Sequence, residues 1–210
     1  MEEVLHQYQL PYDARPPLIW FDERPCFLIE DVGGILPMSP GKANRYHYEY
    51  PKNGSCCVFL AFAPPTGFRS VEVRERRTAR DYADFMQTLL TRHYPQVDSL
   101  RLVQDNLNTH TPGAFYEVLP PAPACALAQH FEPHYTPKKG SWLNMAEIAF
   151  AALSKQCLDR RLPDLPSLRH EVLAWAKQRN PDKKTVAWKF SQPDARQKLH
   201  RHYENVQKFI

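Results

Sequence analysis

The sequence predicts an α/β protein with a central mixed five-stranded sheet flanked by helices, and three observations carry that expectation. Short apolar runs and stretches of helical periodicity follow one another as strand, strand, strand, helix, strand, helix, strand, helix. Pro64-Pro65-Thr66-Gly67 separates two β-branched and aromatic runs, as in an antiparallel hairpin. The next strand is reached through a helix, which calls for parallel pairing with a strand already in the sheet. At 210 residues, 43% hydrophobic and 24% charged, the chain has room for one such domain and an extension.

Each element has its own local signal. Residues 1–16 read as a tail or linker running into Arg15-Pro16-Pro17, with Val4, Leu5 and Tyr8 making at most one helical turn. Residues 18–21 (Leu-Ile-Trp-Phe) form a buried strand expected to stop at Asp22-Glu23, and residues 55–63 and 68–73 form the hairpin. Thr78 is an N-cap for a helix to about residue 94, in which Tyr82, Phe85, Met86, Leu89 and Leu90 recur on one face before Pro95 ends it. Residues 99–104 are a strand that again runs into an acid, Asp105. Residues 112–130 hold two short helical pieces broken by Pro120, Pro121 and Pro123, and residues 131–135 are the fifth strand. A helix opening at Ser141 or Asn144 extends to about 158, and helices at about 165–180 and 193–209 complete the chain. The expected division is a tail over 1–16, an α/β domain over 17–158 and a basic helical extension over 159–210.

Composition removes several function classes. The longest apolar stretches, such as residues 58–63, fall far short of the ~18 residues of a membrane span, and the acidic start differs from a signal peptide. No membrane role is expected. Five cysteines without a C-x-x-C pair point away from a disulfide framework or structural zinc and toward a reducing cytoplasm. Twenty prolines against seven glycines, with no phosphate-loop, dinucleotide or serine-hydrolase motif, leave no nucleotide-dependent or serine-hydrolase reading. The net charge of +4 is unevenly spread: residues 155–210 carry a net +7 and residues 1–154 a net −3. That extension is either a polyanion-binding surface or a solvated helical face.

Asp22 and Asp105 each follow a short apolar run, so adjacent parallel strands would bring their carboxylates to one edge of the sheet, where α/β folds place ligands. Two acids so close repel, a cost that a divalent cation removes. On the helix after Ser141, apolar residues cover most of the circumference and a narrow polar stripe runs through Asn144, Glu147 and Ser154, so Glu147 projects with Asn144 from a largely buried helix. Trp142 is expected in the core. Asn106, Asn108 and His110 are auxiliary candidates at one, three and five residues past Asp105; Lys138 and Lys139 precede the third-acid helix, where its N-terminus would favour a phosphate.

Three strings now stand together in order: Phe21-Asp22-Glu23; Val103-Gln104-Asp105-Asn106-Leu107-Asn108-Thr109-His110; and Tyr135-Thr136-Pro137-Lys138-Lys139-Gly140-Ser141-Trp142-Leu143-Asn144-Met145-Ala146-Glu147. They resemble the signature blocks of the bacterial insertion-sequence six-thirty transposase family within the mariner superfamily, over roughly residues 16–158. The resemblance implies a ribonuclease H-like fold, a D-D-E triad at Asp22, Asp105 and Glu147, and two divalent cations, Mg2+ or Mn2+. It implies cleavage and strand transfer on DNA, both element ends and target, by a homodimer assembled on DNA in the bacterial cytoplasm, at the nucleoid. The 41 residues between Asp105 and Glu147 exceed the interval usual in the superfamily, the excess lying in the proline-rich segment. No helix-turn-helix module precedes Leu18, so an upstream module is an expected partner. For DNA affinity the leading basic residues are Lys138, Lys139, Arg160, Arg161, Lys183, Lys184 and Lys189. Two rivals stay open: a fold-related nuclease that cuts without joining, and a truncated DNA-binding regulator.

Overall fold

The computed structural model describes residues 1–11, 13, 16–30, 39–41, 51–138 and 140–207. Strands β1 (Leu18–Ile29), β2 (Lys52–Ala63), β3 (Phe68–Arg74), β4 (Leu100–Gln104) and β5 (Phe131–Tyr135) form one sheet in the order β3-β2-β1-β4-β5. β1 to β3 pair antiparallel, whereas β4 pairs parallel to β1 and to β5. The mixed sheet thus follows from the connections: a tight turn at residues 64–67 makes the hairpin, and helical crossovers make the parallel pairs.

Helices cover both faces. Along β1, Ile19 and Phe21 join a core with α2 (Ala79–Thr88) and α3 (Pro121–Gln129), while Leu18 and Trp20 face α1 (Glu2–Gln9), α4 (Ala146–Leu153) and α5 (Leu165–Arg179). Thr78 caps α2 through a reciprocal capping box with Asp81, as its position before the apolar stripe predicts. A π-helical turn (Leu89–His93) extends α2, and a second (Ser154–Leu158) extends α4.

Four details depart from the sequence expectation. Residues 2–9 form a whole helix, and its Val4 and Leu5 are fully buried, so the start of the chain packs as core. β1 does not stop at Asp22 but continues through it, because β2 is long enough to pair with it as far as Ile29. The last helical stretch is two pieces, α6 (Gln192–Lys198) and α7 (His200–Gln207), broken at Leu199. Trp142, expected inside, is 47% exposed and meets Phe190 edge-on, because the residues around it form a 3-10 turn rather than the first turn of α4.

Candidate active site

Strand register brings the two aspartates together. Leu18, Ile19 and Trp20 pair with Arg101, Leu102 and Val103, and continuing that offset sets Asp22 level with Asp105. Parallel pairing ends at Trp20 and β4 at Gln104, so Asp22 stands beside the start of the loop that opens with Asp105.

Asn144 supplies the third corner. It is buried between the 3-10 turn (Ser141–Leu143) and α4, not on the helix face expected for it. Its side-chain amide donates to the carbonyl of Phe21 at 2.8 Å and to Asp22 Oδ2 at 3.3 Å, and its Oδ1 accepts from the amide of Ala146 at 3.0 Å. One residue thereby fixes the start of α4 against β1. Glu147, in the first turn of α4, is exposed beside Asp22 rather than projecting from a buried helix. The solvent-facing side of α4 also shows Ile148 and Ala151, so the helix is buried on one side only.

The electrostatics of Asp22 register burial first and then the charges of the other acids. Burial pushes the Asp22 carboxyl up to about 7, and the nearby charges of Glu147, Asp105 and Glu23 push the same way, against the Glu23 amide donating to Oδ1 at 2.9 Å. Such a set suits a hard divalent cation: all donors are carboxylate oxygens, and their mutual repulsion is what the ion relieves. Among the described residues no group of three or more His, Cys, Asp or Glu side chains is placed so as to hold a metal ion.

His110 lies between two acids, with Nδ1 2.5 Å from Asp105 Oδ1 and Nε2 2.7 Å from Glu23 Oε2. Burial disfavours its charged form, but the close contacts with Asp105 and Glu23 outweigh that and raise it to about 9. The sequence pattern marked His110 only as auxiliary and overlooked Glu23. The signal was present: alternation along β1 sends Glu23 to the face opposite Asp22, toward α2. Asn106 and Asn108 are exposed and line a shallow cavity of about 270 Å3 with Arg77 and Glu23.

The basic candidates are dispersed. Lys138 is exposed ahead of the 3-10 turn, and Lys139 lies outside the described residues. Arg160 forms an ion pair with Glu171. Lys183 and Lys184 are exposed and cross the β2–β3 turn, where the amide of Val186 donates to Pro64; that is the end of the sheet where β4 begins, opposite Asp105. Lys189 is exposed and Arg161 half-buried.

A family model described as DDE superfamily endonuclease matches residues 17–169, a span that holds all five strands and all three acids. The chain belongs to that family. Among solved structures, this DDE endonuclease domain is similar to the Mos1 strand transfer complex (TM-score 0.60, 13% identity, 87% of this chain and 53% of that chain). It is also similar to the Mos1 mariner paired end complex with Mn (TM-score 0.57, 15% identity, 87% and 54%). A third is a simian T-cell lymphotropic virus intasome in complex with a PP2A regulatory subunit (TM-score 0.50, 13% identity, 79% and 50%). At these identities the likeness is one of fold, that of transposase and integrase catalytic cores, and the chain spans about half the length of the mariner chains it matches. No curated protein compared with it matches the sequence. Among the described residues no helix is long and apolar enough to cross a membrane.

Proposed function

We propose that this chain is the catalytic domain of a DNA transposase of the insertion-sequence six-thirty type, which cuts DNA and joins the released end to a target. The observation that carries the reading is the register that sets Asp22 level with Asp105, with Asn144 tying the start of the Glu147 helix to Asp22 itself. Family membership and the mariner-like fold support it.

Asp22, Asp105 and Glu147 would hold Mg2+ or Mn2+, two ions in this reading, which when bound would make water or a DNA 3′-hydroxyl nucleophilic and stabilise charge on the scissile phosphate. The protein's own contribution is placement. The sheet would present the two aspartates from adjacent strands, and Asn144 ties β1 to the start of the helix that carries Glu147. Glu147 lies on the exposed side of α4, open to a ligand from solvent. Lys138 adds a positive charge ahead of that helix, and Arg160, Arg161, Lys183, Lys184 and Lys189 supply further basic groups for phosphates along a longer DNA. Lys139 belongs to the same proposal. Joining two DNA ends calls for two copies assembled on DNA and for an end-recognition module, a helix-turn-helix upstream; a nucleoid-associated bacterial cytoplasm is the matching setting.

The test is cleavage and joining of element-end DNA with Mg2+, Mn2+ or chelator, comparing wild type with Asp105→Asn and supplying the end-recognition module. Joined product from wild type and none from the variant is expected. Cutting without joining would make the chain a nuclease, and undiminished activity of Asp105→Asn would remove the acid from the mechanism.

A further inference from the structure

We propose that Glu23 and His110 are positioning residues that set the orientation of Asp105 for its cation, an inference that rests on Asp105 being a metal ligand. Glu23 is an unusual residue to bury. Its side chain is 2% exposed, on the face of β1 turned away from Asp22, among the aromatic residues under α2. Its partner is His110, itself 1% exposed, whose Nε2 lies 2.7 Å from Glu23 Oε2. The other ring nitrogen lies 2.5 Å from Asp105 Oδ1. The Glu23 side chain therefore reaches Asp105 through the imidazole.

The imidazole is held on every side. Tyr82 stacks on it at 4.9 Å between ring centroids with 28° between planes, and Phe21 meets it edge-on at 5.2 Å. Gln104 Nε2 and the Tyr135 hydroxyl both donate to the His110 carbonyl at 3.1 Å, and the Tyr82 hydroxyl donates to Gln104 at 2.9 Å. Each ring nitrogen faces one carboxylate oxygen, Asp105 on one side and Glu23 on the other. The result at Asp105 is directional. Oδ1 is shielded from solvent by the ring, while the side chain as a whole remains 37% exposed, so the second oxygen is the one left to face the cleft. A carboxylate whose free oxygen is aimed beforehand loses less side-chain freedom on binding a cation, and outer partners of this kind are typically worth ~10–100-fold in metal affinity.

The experiment measures Mn2+ binding to the full chain by electron paramagnetic resonance and calorimetry, at one pH, alongside the melting temperature. Glu23→Ala leaves a buried imidazole half-paired and is expected to lose stability as well as affinity. The decisive variant is Glu23→Leu with His110→Phe, which replaces both partners by apolar groups of similar shape, keeps the stack on Tyr82 and restores packing. It is expected to melt above Glu23→Ala yet bind Mn2+ about tenfold more weakly than wild type. Glu23→Gln, which keeps an acceptor for Nε2, is expected to stay within about threefold of wild type. Wild-type affinity in the double variant would overturn the proposal, and so would its failure to fold, which would assign the pair to stability alone. Asp105→Asn separates the two layers of inference. If Asp105→Asn weakens Mn2+ binding and the double variant does not, positioning fails and the metal reading stands; if Asp105→Asn itself binds as wild type does, the metal reading fails.

Discussion

Replacing Asp22 with Asn should stabilise the cation-free protein, and by an amount that grows with pH. The Asp22 carboxyl sits at about 7 in the fold, raised first by burial and then by Glu147, Asp105 and Glu23, against an ordinary value of 3.8. An acid raised in the folded state costs nothing while both states are protonated, and its cost grows from the unfolded value upward until it levels off above the folded value. For this shift the linkage relation gives a penalty of about 2 kcal/mol at pH 5 and about 4 kcal/mol at pH 8, both trimmed by solvent screening at a partly exposed group. Asn keeps an acceptor for the Glu23 amide but sets its own NH2 against that of Asn144, losing a hydrogen bond worth ~1 kcal/mol. That loss does not depend on pH. The difference in unfolding free energy between variant and wild type should therefore rise by roughly 2 kcal/mol from pH 5 to pH 8, read from urea titrations in chelator. Added Mg2+ should then stabilise the wild type and leave the variant unmoved, since binding to the folded state adds stability by mass action. A flat difference across pH would show that neither burial nor the neighbouring acids raise the Asp22 carboxyl, and the case for a shared cation site would lose its electrostatic basis.

Three further outcomes follow from other parts of the fold. His110, raised to about 9 from an ordinary 6.5, contributes stability that is complete below about 6.5 and lost as pH climbs through 9; urea titrations from pH 7 to 10 should show a decline of up to ~3 kcal/mol that is absent when Glu23 and His110 are both made apolar. Leu5→Ala should cost ~2–5 kcal/mol in the same assay, because Leu5 is fully buried in the core shared with β1 and α4; an effect near zero would mean that α1 is not part of the folded unit. Gly67→Ala should lower the melting temperature by several degrees, roughly 1–3 kcal/mol, since Gly67 has φ +73° and a Cβ there would lie 2.5 Å from the Lys183 carbonyl carbon; unchanged melting would mean that the C-terminal segment yields easily.

What could be read from the sequence was whatever depends on local pattern. The hairpin at residues 64–67, the N-cap at Thr78 and the crossover to β4 are written in turn residues, a cap and periodicity, and each appears in the fold where the pattern places it. The end of β1 could not be read, because continuation past Asp22 depends on a partner strand, β2, whose length the β1 segment does not encode. Helical periodicity placed Asn144 and Glu147 on one stripe of one helix. The chain instead breaks into a 3-10 turn before α4, since the Asn144 side chain bonds the Phe21 carbonyl and caps the amide of Ala146 in place of continuing the helix.

The same contrast explains why the sequence pattern points to Asp22 and not to Glu23. An acid that faces a cleft is suggested by the strand before it, but an acid that faces the core has no meaning until its partner is known, and His110 is 87 residues away in the chain. Only folding joins them. β1 and β4 pair in register, and the loop after β4 turns back so that the His110 carbonyl accepts from Gln104 while its ring drops between Phe21 and Tyr82. The two neighbouring acids of β1 thus do different work because the strand alternates: Asp22 faces α4 and the cleft, and Glu23 reaches Asp105 from behind the sheet through a buried ring. A one-residue slip in β1 would exchange their places and leave a carboxylate without a partner in the core, so the site and the register of the sheet hold each other in place.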